Sequence, residues 1–398
     1  MQSAFKAKIL NFSATASIIA SITSPALANE QWIFTALPYL PGSAMTSPAA
    51  INNSGSIAGT SFGSPERAII VRDGEINEAS ASLGAGFQSF GRGINDAGQI
   101  VGSGYPDGSD AFYGPTAVFW DGTGIRKLGN LPGGRDSAAT DINNKGEVVG
   151  YSDAPPTYGL YRETHAVMWG TTGIVDLGGL FKGADSRANA INNFGQVVGY
   201  SKFDKYRSDE HATFWNQGNI IDLSAGSQYS SKAYDINDLG QIVGVENQKA
   251  VLWQDGKKFV LDGLENSTGS VASGINSLGW IVGTRKYDDD SRATLWRDNV
   301  AIDLNSLTAV AESGWRIQTA LDINDRGEIV GVGVYSAPNG KFYQGFLLSP
   351  VPEPTTAVYM LIGILGLLVV ANRNKQAHAA MQRNHQAWAR TLRTDNAA

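Results

Sequence analysis

The chain of 398 residues contains no cysteine, which removes disulfide frameworks, zinc-thiolate sites, redox motifs and cysteine nucleophiles. Charge is scarce, at 17% of residues, and there are only four histidines. No P-loop or H-E-x-x-H pair occurs. Glycine is plentiful by contrast: 47 glycines accompany 14 prolines and 10% aromatics. That composition belongs to many short strands joined by turns. The length admits two or three average domains or one large all-β domain. Without disulfides, stability must come from packing.

Both ends differ from the body. Lys6 and Lys8 precede a mostly apolar stretch from Ile9 to Ile22, and Ala26 and Ala28 then form an A-x-A cleavage site, so residues 1–28 read as a signal peptide. Near the other end, Val351-Pro352-Glu353-Pro354 precedes a charge-free segment, 355–372, with AVYMLIGILGLLVVA at its centre and Arg373 and Lys375 behind it. Fifteen apolar residues at about 1.5 Å each reach about 22 Å against a bilayer core of about 30 Å, a short transmembrane helix. The basic flank places residues 373–398 in the cytoplasm as a basic tail, with the body outside. Stripped of its basic ends, the body, 29–350, is more acidic than the whole chain at −6. That charge disfavours nucleic acid and anionic lipid, and is compatible with cations or neutral glycans.

The body is a sevenfold repeat. INNSGSIAGTS from Ile51 returns from Ile94, Ile142, Ile191, Ile236, Ile275 and Ile323, at spacings between 39 and 49 residues. A second element follows each copy and ends at Val71, Trp120, Trp169, Trp215, Trp253, Trp296 and Leu348. Asn and Gly in the tetrapeptide suit a hairpin turn, the residues after it a β-branched strand, and the aromatic element a third strand. With Ile220–Leu223 and its equivalents as a fourth, each copy matches a propeller blade. The last copy stops after its third strand, while TALPYLPG from Thr35 aligns with RKLGNLPG from Arg126 at the fourth-strand position. One blade is therefore split between the termini, which closes a ring and hides both edges. The expected fold is all-β, a seven-bladed β-propeller of four-stranded blades; the alternative is a β-solenoid or stacked β array.

Candidate chemistry is thin. His165 and His211 occupy equivalent positions of consecutive repeats, as do Asp141, Asp235 and Asp322 before Ile-Asn, and Asp176, Asp222 and Asp303 before Leu. Periodic residues point to strand and turn hydrogen bonding rather than catalysis. The tryptophans read as inter-blade core. Diversity is confined to the loops between second and third strands, whose Tyr105, Tyr113, Tyr158, Tyr161, Tyr206, Tyr287 and Tyr343 are expected around one mouth and suit neutral sugars or a protein partner. Asp288-Asp289-Asp290 is a weak calcium candidate, because three adjacent acids cannot all face inward. No cofactor is expected.

The x-Ala strand ending in Trp, then G-x-I-x-D-L-G, then I-N-x-x-G-x-V-V-G resembles the HAF family of extracellular repeats. His165-Ala166-Val167-Met168-Trp169 and His211-Ala212-Thr213-Phe214-Trp215 match it best, and the resemblance covers nearly all of residues 32–348. It implies an extracellular address and no activity. Val351-Pro352-Glu353-Pro354 with the apolar segment and Arg373 and Lys375 resembles the PEP-CTERM sorting signal. That implies an exosortase-type protease beside signal peptidase, transient or permanent inner-membrane anchoring, and delivery to the surface or matrix of a Gram-negative bacterium that makes exopolysaccharide. The sequence departs from this pattern in its 23-residue tail from Gln376 to Ala398, whose Ala379, Trp388 and Leu392 suit an amphipathic helix. The expectation is a monomeric, non-enzymatic surface protein that binds exopolysaccharide or envelope proteins; the alternative is a polysaccharide-active propeller enzyme with paired carboxylates in a central mouth.

Overall fold

The strand that ends each repeat in Ile-Asn is the innermost strand of a blade, and seven such strands surround one axis. The computed structural model describes residues 31–79, 88–105, 114–155, 162–204, 206, 208–261, 266–298, 300–338 and 340–351. They form seven four-stranded antiparallel sheets, a seven-bladed β-propeller. Blades 1 to 7 begin with the inner strands Met45–Ile51, Ser89–Ile94, Ser137–Ile142, Ser186–Ile191, Ser231–Ile236, Gly269–Ile275 and Trp315–Ile323. In blade 4 the inner strand is followed outward by Val197–Lys202, Glu210–Asn216 and Asn219–Asp222.

Blade 7 is assembled from both ends of the body. Its outer strand, Trp32–Ala36, pairs antiparallel with its third strand, Gly340–Pro350, in the register Trp32 to Pro350 through Ala36 to Phe346. The Leu37 N–H then donates to the Gly345 carbonyl at 2.8 Å, as Leu128 does to Ala117 in blade 2, which fulfils the alignment of Thr35 with Arg126. Closure of the ring rules out the open solenoid.

Every blade boundary is sealed twice over. Between each neighbouring pair lies an apolar cluster, such as Val149, Ala166, Ala188, Ile191, Val197 and Trp215 between blades 3 and 4. The tryptophans are inter-blade core, with Trp120, Trp169, Trp215, Trp253 and Trp296 no more than 4% exposed. The second seal is polar and lies near the axis. Each Asn of Ile-Asn donates its side-chain amide to the backbone carbonyl of the same Asn in the next blade, at 2.9–3.1 Å, from Asn52 round to Asn324, which donates back to Asn52. In six of the seven turns its side-chain oxygen meanwhile accepts two N–H groups of its own turn, as Asn192 does from Phe194 and Gln196 at 3.0 Å, and Asn95 accepts that of Gln99. A buried amide is thereby fully used, which a short polar side chain achieves only at a position this close to both backbones.

The V-V-G of each repeat has a steric cause. Every inner strand carries a bulge just before its end, at Ala49, Arg92, Thr140, Asn189, Tyr234, Ser273 and Leu321. The bulge drives an inner-strand carbonyl into the space where a Cβ would sit on the second strand, for instance the Arg187 carbonyl against Gly199. Only glycine fits there.

Candidate functional site

Strand pairing fixes what each face of the ring displays. Inner strands end, and second strands begin, at the Asn-Gly turns, and third strands end beside them, as Val197 opposite Trp215 shows. This is the turn face. Inner strands begin beside the ends of second strands, as Ser186 opposite Ser201 shows, so the connections between second and third strands and those between blades lie on the loop face.

The turn face is uniform. Its mouth, about 190 Å³, is lined by the Ile-Asn turns of all seven blades. Around it the backbone N–H at the second turn position bonds the side chain at that position in the next blade, as Asn53 to Asp96, Asp96 to Asn144 and Asn144 to Asn193, each at 2.9 Å. Below it sit Asp141, Asp235 and Asp322. Each accepts the N–H of its own following Ile and, at 2.8–2.9 Å, the N–H of the equivalent Ile one blade on: Ile191, Ile275 and Ile51. The ring has room for a side chain at only some blades. A Cβ on Gly93 would lie 2.8 Å from the Cα of Asp141, and one on Gly274 3.1 Å from the Cα of Asp322. Burial pushes Asp141 up to about 7, with repulsion from Asp235 adding to it. Burial likewise raises Asp235 and, together with the charges of Asp235 and Asp141, Asp322. These acids make the local backbone hydrogen bonds expected of periodic residues and, beyond that expectation, each also ties its blade to the next.

His165 and His211 also belong to the frame. His165 Nδ1 lies 2.7 Å from Asp176 and His211 Nδ1 2.8 Å from Asp222, each joining third strand to fourth. Arg67 with Glu78 and Arg292 with Asp303 repeat the pairing in blades 1 and 6. The consensus His and Asp are thus two halves of one cross-strand bond. Its hydrogen bond to Asp176 raises the pKa of His165.

The loop face is irregular, and it holds a cleft of about 290 Å³ between blades 5 and 6. Ser230, Lys232, Tyr234, Val245, Gln248, Val271 and Lys286 are in its wall. Beside it, blade 5 joins its second and third strands by a two-residue turn, Asn247-Gln248, with φ of 47° and 62° and only two residues separating it from Gly244. Blades 6 and 7 turn as tightly but at the tips of longer hairpins, Tyr287 opposite Asp290 and Ala337 opposite Gly340, and the short hairpin of blade 5 accompanies the shortest repeat, from Ile236 to Ile275. Lys232 binds Glu210 at 2.6 Å and lies 4.0 Å from the Tyr200 ring centre, so its charge is balanced; Lys286 is exposed. Burial raises the Tyr234 hydroxyl pKa, so it is a neutral donor. Val245, Val271 and the Tyr234 ring supply apolar wall, and Gln248, Ser230 and Lys286 the polar rim. None of the residues lining the cleft is a carboxylate.

Of the seven tyrosines expected around one mouth, Tyr105, Tyr206, Tyr287 and Tyr343 lie on the loop face, in blades 2, 4, 6 and 7. None of these four lines the cleft, whose aromatic is Tyr234. Tyr113, Tyr158 and Tyr161 lie outside the described residues. Asp288 and Asp289 are exposed in a tight turn, while Asp290 is engaged by Arg292 and Arg316. Among the described residues no group of three His, Asp or Glu could hold a metal. Val351 donates its N–H to the Gln31 carbonyl at 2.8 Å. Ala26, Ala28, Pro352, Glu353, Pro354, Arg373 and Lys375 lie outside the described residues, as does the segment 355–372.

A family described as a protein of unknown function, DUF3466, matches residues 132–215, which span blade 3 and most of blade 4. No curated protein matches the chain. Among solved structures it is similar to an acylaminoacyl peptidase of Pyrococcus horikoshii, at 13% identity and a TM-score of 0.44, covering 74% of this chain and 50% of that one. A puromycin-hydrolysing peptidase of Mycobacterium tuberculosis gives 12% and 0.45 over 76% and 52%. The β-propeller domain of a Pyrococcus furiosus protease gives 10% and 0.35 over 66% and 99%. The chain thus spans about half the length of the first two.

Proposed function

We propose that this protein is an exported, non-enzymatic HAF-type propeller that binds neutral or weakly charged polysaccharide on its loop face at the bacterial surface. The observation that carries this reading is the contrast between the two faces: one is a fixed hydrogen-bonded ring, the other opens a cleft between blades 5 and 6. A sugar ring has apolar faces and hydroxyl edges, and a wall of Val245, Val271 and Tyr234 with Gln248 and Lys286 at its rim matches both. The enzyme alternative calls for non-periodic paired carboxylates in the central mouth; Asp141, Asp235 and Asp322 there are periodic and each is spent on two backbone N–H groups.

The same reading gives Val351-Pro352-Glu353-Pro354 and the segment 355–372 the role of a PEP-CTERM signal, cut by an exosortase-type protease after signal peptidase has acted at Ala28. Two experiments test it. Immobilised polysaccharides should retain the body, 29–350, and retention by none of them would defeat the binding role. Replacing Glu353 with Ala should leave the protein in the inner membrane of its host; unchanged surface release would defeat the sorting role.

A further inference from the structure

The third position of the Asn-Gly turn is exposed on the turn face, and on three consecutive blades it is a large apolar residue. Phe194, Leu239 and Leu278 on blades 4, 5 and 6 are 68%, 71% and 62% exposed. In a ring these are neighbours, so they form one apolar arc, bounded at the same position by Lys145 on blade 3 and Arg326 on blade 7. Large apolar side chains at the tips of tight turns contribute nothing to the turns themselves, whose bonds are made by Asn and Gly. An arc of this kind marks an interaction surface.

Both chain ends leave the propeller beside this arc. The last strand of the body runs towards the turn face, since its Leu348 pairs with Ile329 at the start of the second strand, and Trp32 lies opposite Pro350. A Cβ on Gly327 would sit 2.8 Å from the Trp280 ring and 3.5 Å from Pro350. The exit therefore lies against the blade 7 turn that carries Arg326, at the end of the arc, and that turn packs on Trp280 of blade 6. From Val351 to Ala357, where the apolar run begins, an extended chain reaches at most about 20 Å. A tether that short, leaving from the turn face, turns that face towards whatever the run enters.

We infer that the turn face docks on a lipid bilayer through Phe194, Leu239 and Leu278, with the propeller tilted onto blades 4 to 6. This rests on reading residues 355–372 as a membrane span. The apolar arc enters the interfacial layer, and Lys145 and Arg326 stay at its edges among the headgroups. Docking leaves the loop face and its cleft pointing away from the membrane, open to ligand.

The absence of cysteine makes the test direct, because each introduced cysteine labels uniquely. The full chain carrying Phe194→Cys, Leu239→Cys, Leu278→Cys, Tyr206→Cys or Leu365→Cys is labelled with an environment-sensitive fluorophore and reconstituted in phosphatidylcholine vesicles containing brominated lipid. Docking predicts blue-shifted, lipid-quenched emission at 194, 239, 278 and 365, and unshifted emission at 206. Quenching at 365 with none at the three turn positions overturns docking and leaves the span intact. No quenching at 365 overturns the span and docking with it. A blue shift at the turn positions without lipid quenching places a second copy of the chain on the arc, and also overturns docking.

Discussion

At the scale of the residue, the repeat is a set of interlocking side-chain-to-backbone bonds. Asn192 uses its donor across the blade boundary and its acceptor within the turn while only 4% exposed. Asn192→Ala strands those backbone partners and should cost about 2–3 kcal/mol, read as a lowered denaturant midpoint; an unchanged midpoint would mean the seal is redundant. The buried acids set a pH dependence of unusual sign. Asp141, Asp235 and Asp322 are raised in the folded state above the ordinary carboxylate value, and His165 is raised by Asp176. Groups with raised pKa hold protons more tightly when folded, so their contribution is full at low pH and fades as pH rises through the folded values. The melting temperature should be higher at pH 5 than at pH 8, and a triple Asp→Asn variant at 141, 235 and 322 should flatten that slope. The Asn turn cap was legible in the sequence. Its reach to the next blade was not, because a local turn and a contact about 45 residues away leave the same periodic trace. Another seal did leave a trace: Ser89, Ser137, Ser186, Ser231 and Ser270 each stand five residues before an Ile-Asn, and each accepts the N–H of an alanine in the previous blade's third strand.

At the scale of the element, two short pieces of chain matter out of proportion to their length. The strand Trp32–Ala36 completes blade 7, and Gln344 reinforces it by donating to the Leu37 carbonyl at 2.5 Å and accepting the Thr46 N–H of blade 1 at 2.8 Å. Removing residues 31–36 exposes an edge strand and strips Trp32 and Phe34 from the apolar cluster between blades 6 and 7. The truncated body should melt at lower temperature and be cut by protease within blade 7, against a resistant intact body. This split blade was legible because Leu37, Leu40, Pro41 and Gly42 repeat the spacing of Leu128, Leu131, Pro132 and Gly133. The turn Asn247-Gln248 is the opposite case. It closes the shortest repeat beside the cleft, and nothing in its residues announces a site; only the narrow spacing between Ile236 and Ile275 does. Inserting four glycine and serine residues after Asn247 should fill the cleft and abolish polysaccharide retention with the melting temperature nearly unchanged, since loop lengthening is thermodynamically mild.

At the scale of the whole molecule, the ring separates structure from variation. Seven turns built on the same Asn and Gly tie one face together, so substitutions at the Asn disturb two blades at once. On the other face, connections between strands change length freely, which is where a binding surface can diverge without loss of fold. That division explains why tyrosines in several loops drew attention in the sequence, while the cleft lies beside the short hairpin of blade 5 and its aromatic, Tyr234, sits at an inner-strand bulge. The most direct test is the equilibrium affinity of the body for a retained polysaccharide, compared with a Tyr234→Phe, Lys286→Glu double variant shown by thermal melting to be folded. The binding account predicts a tenfold or greater loss of affinity, about 1.4 kcal/mol or more. Equal affinity in the folded variant would contradict it.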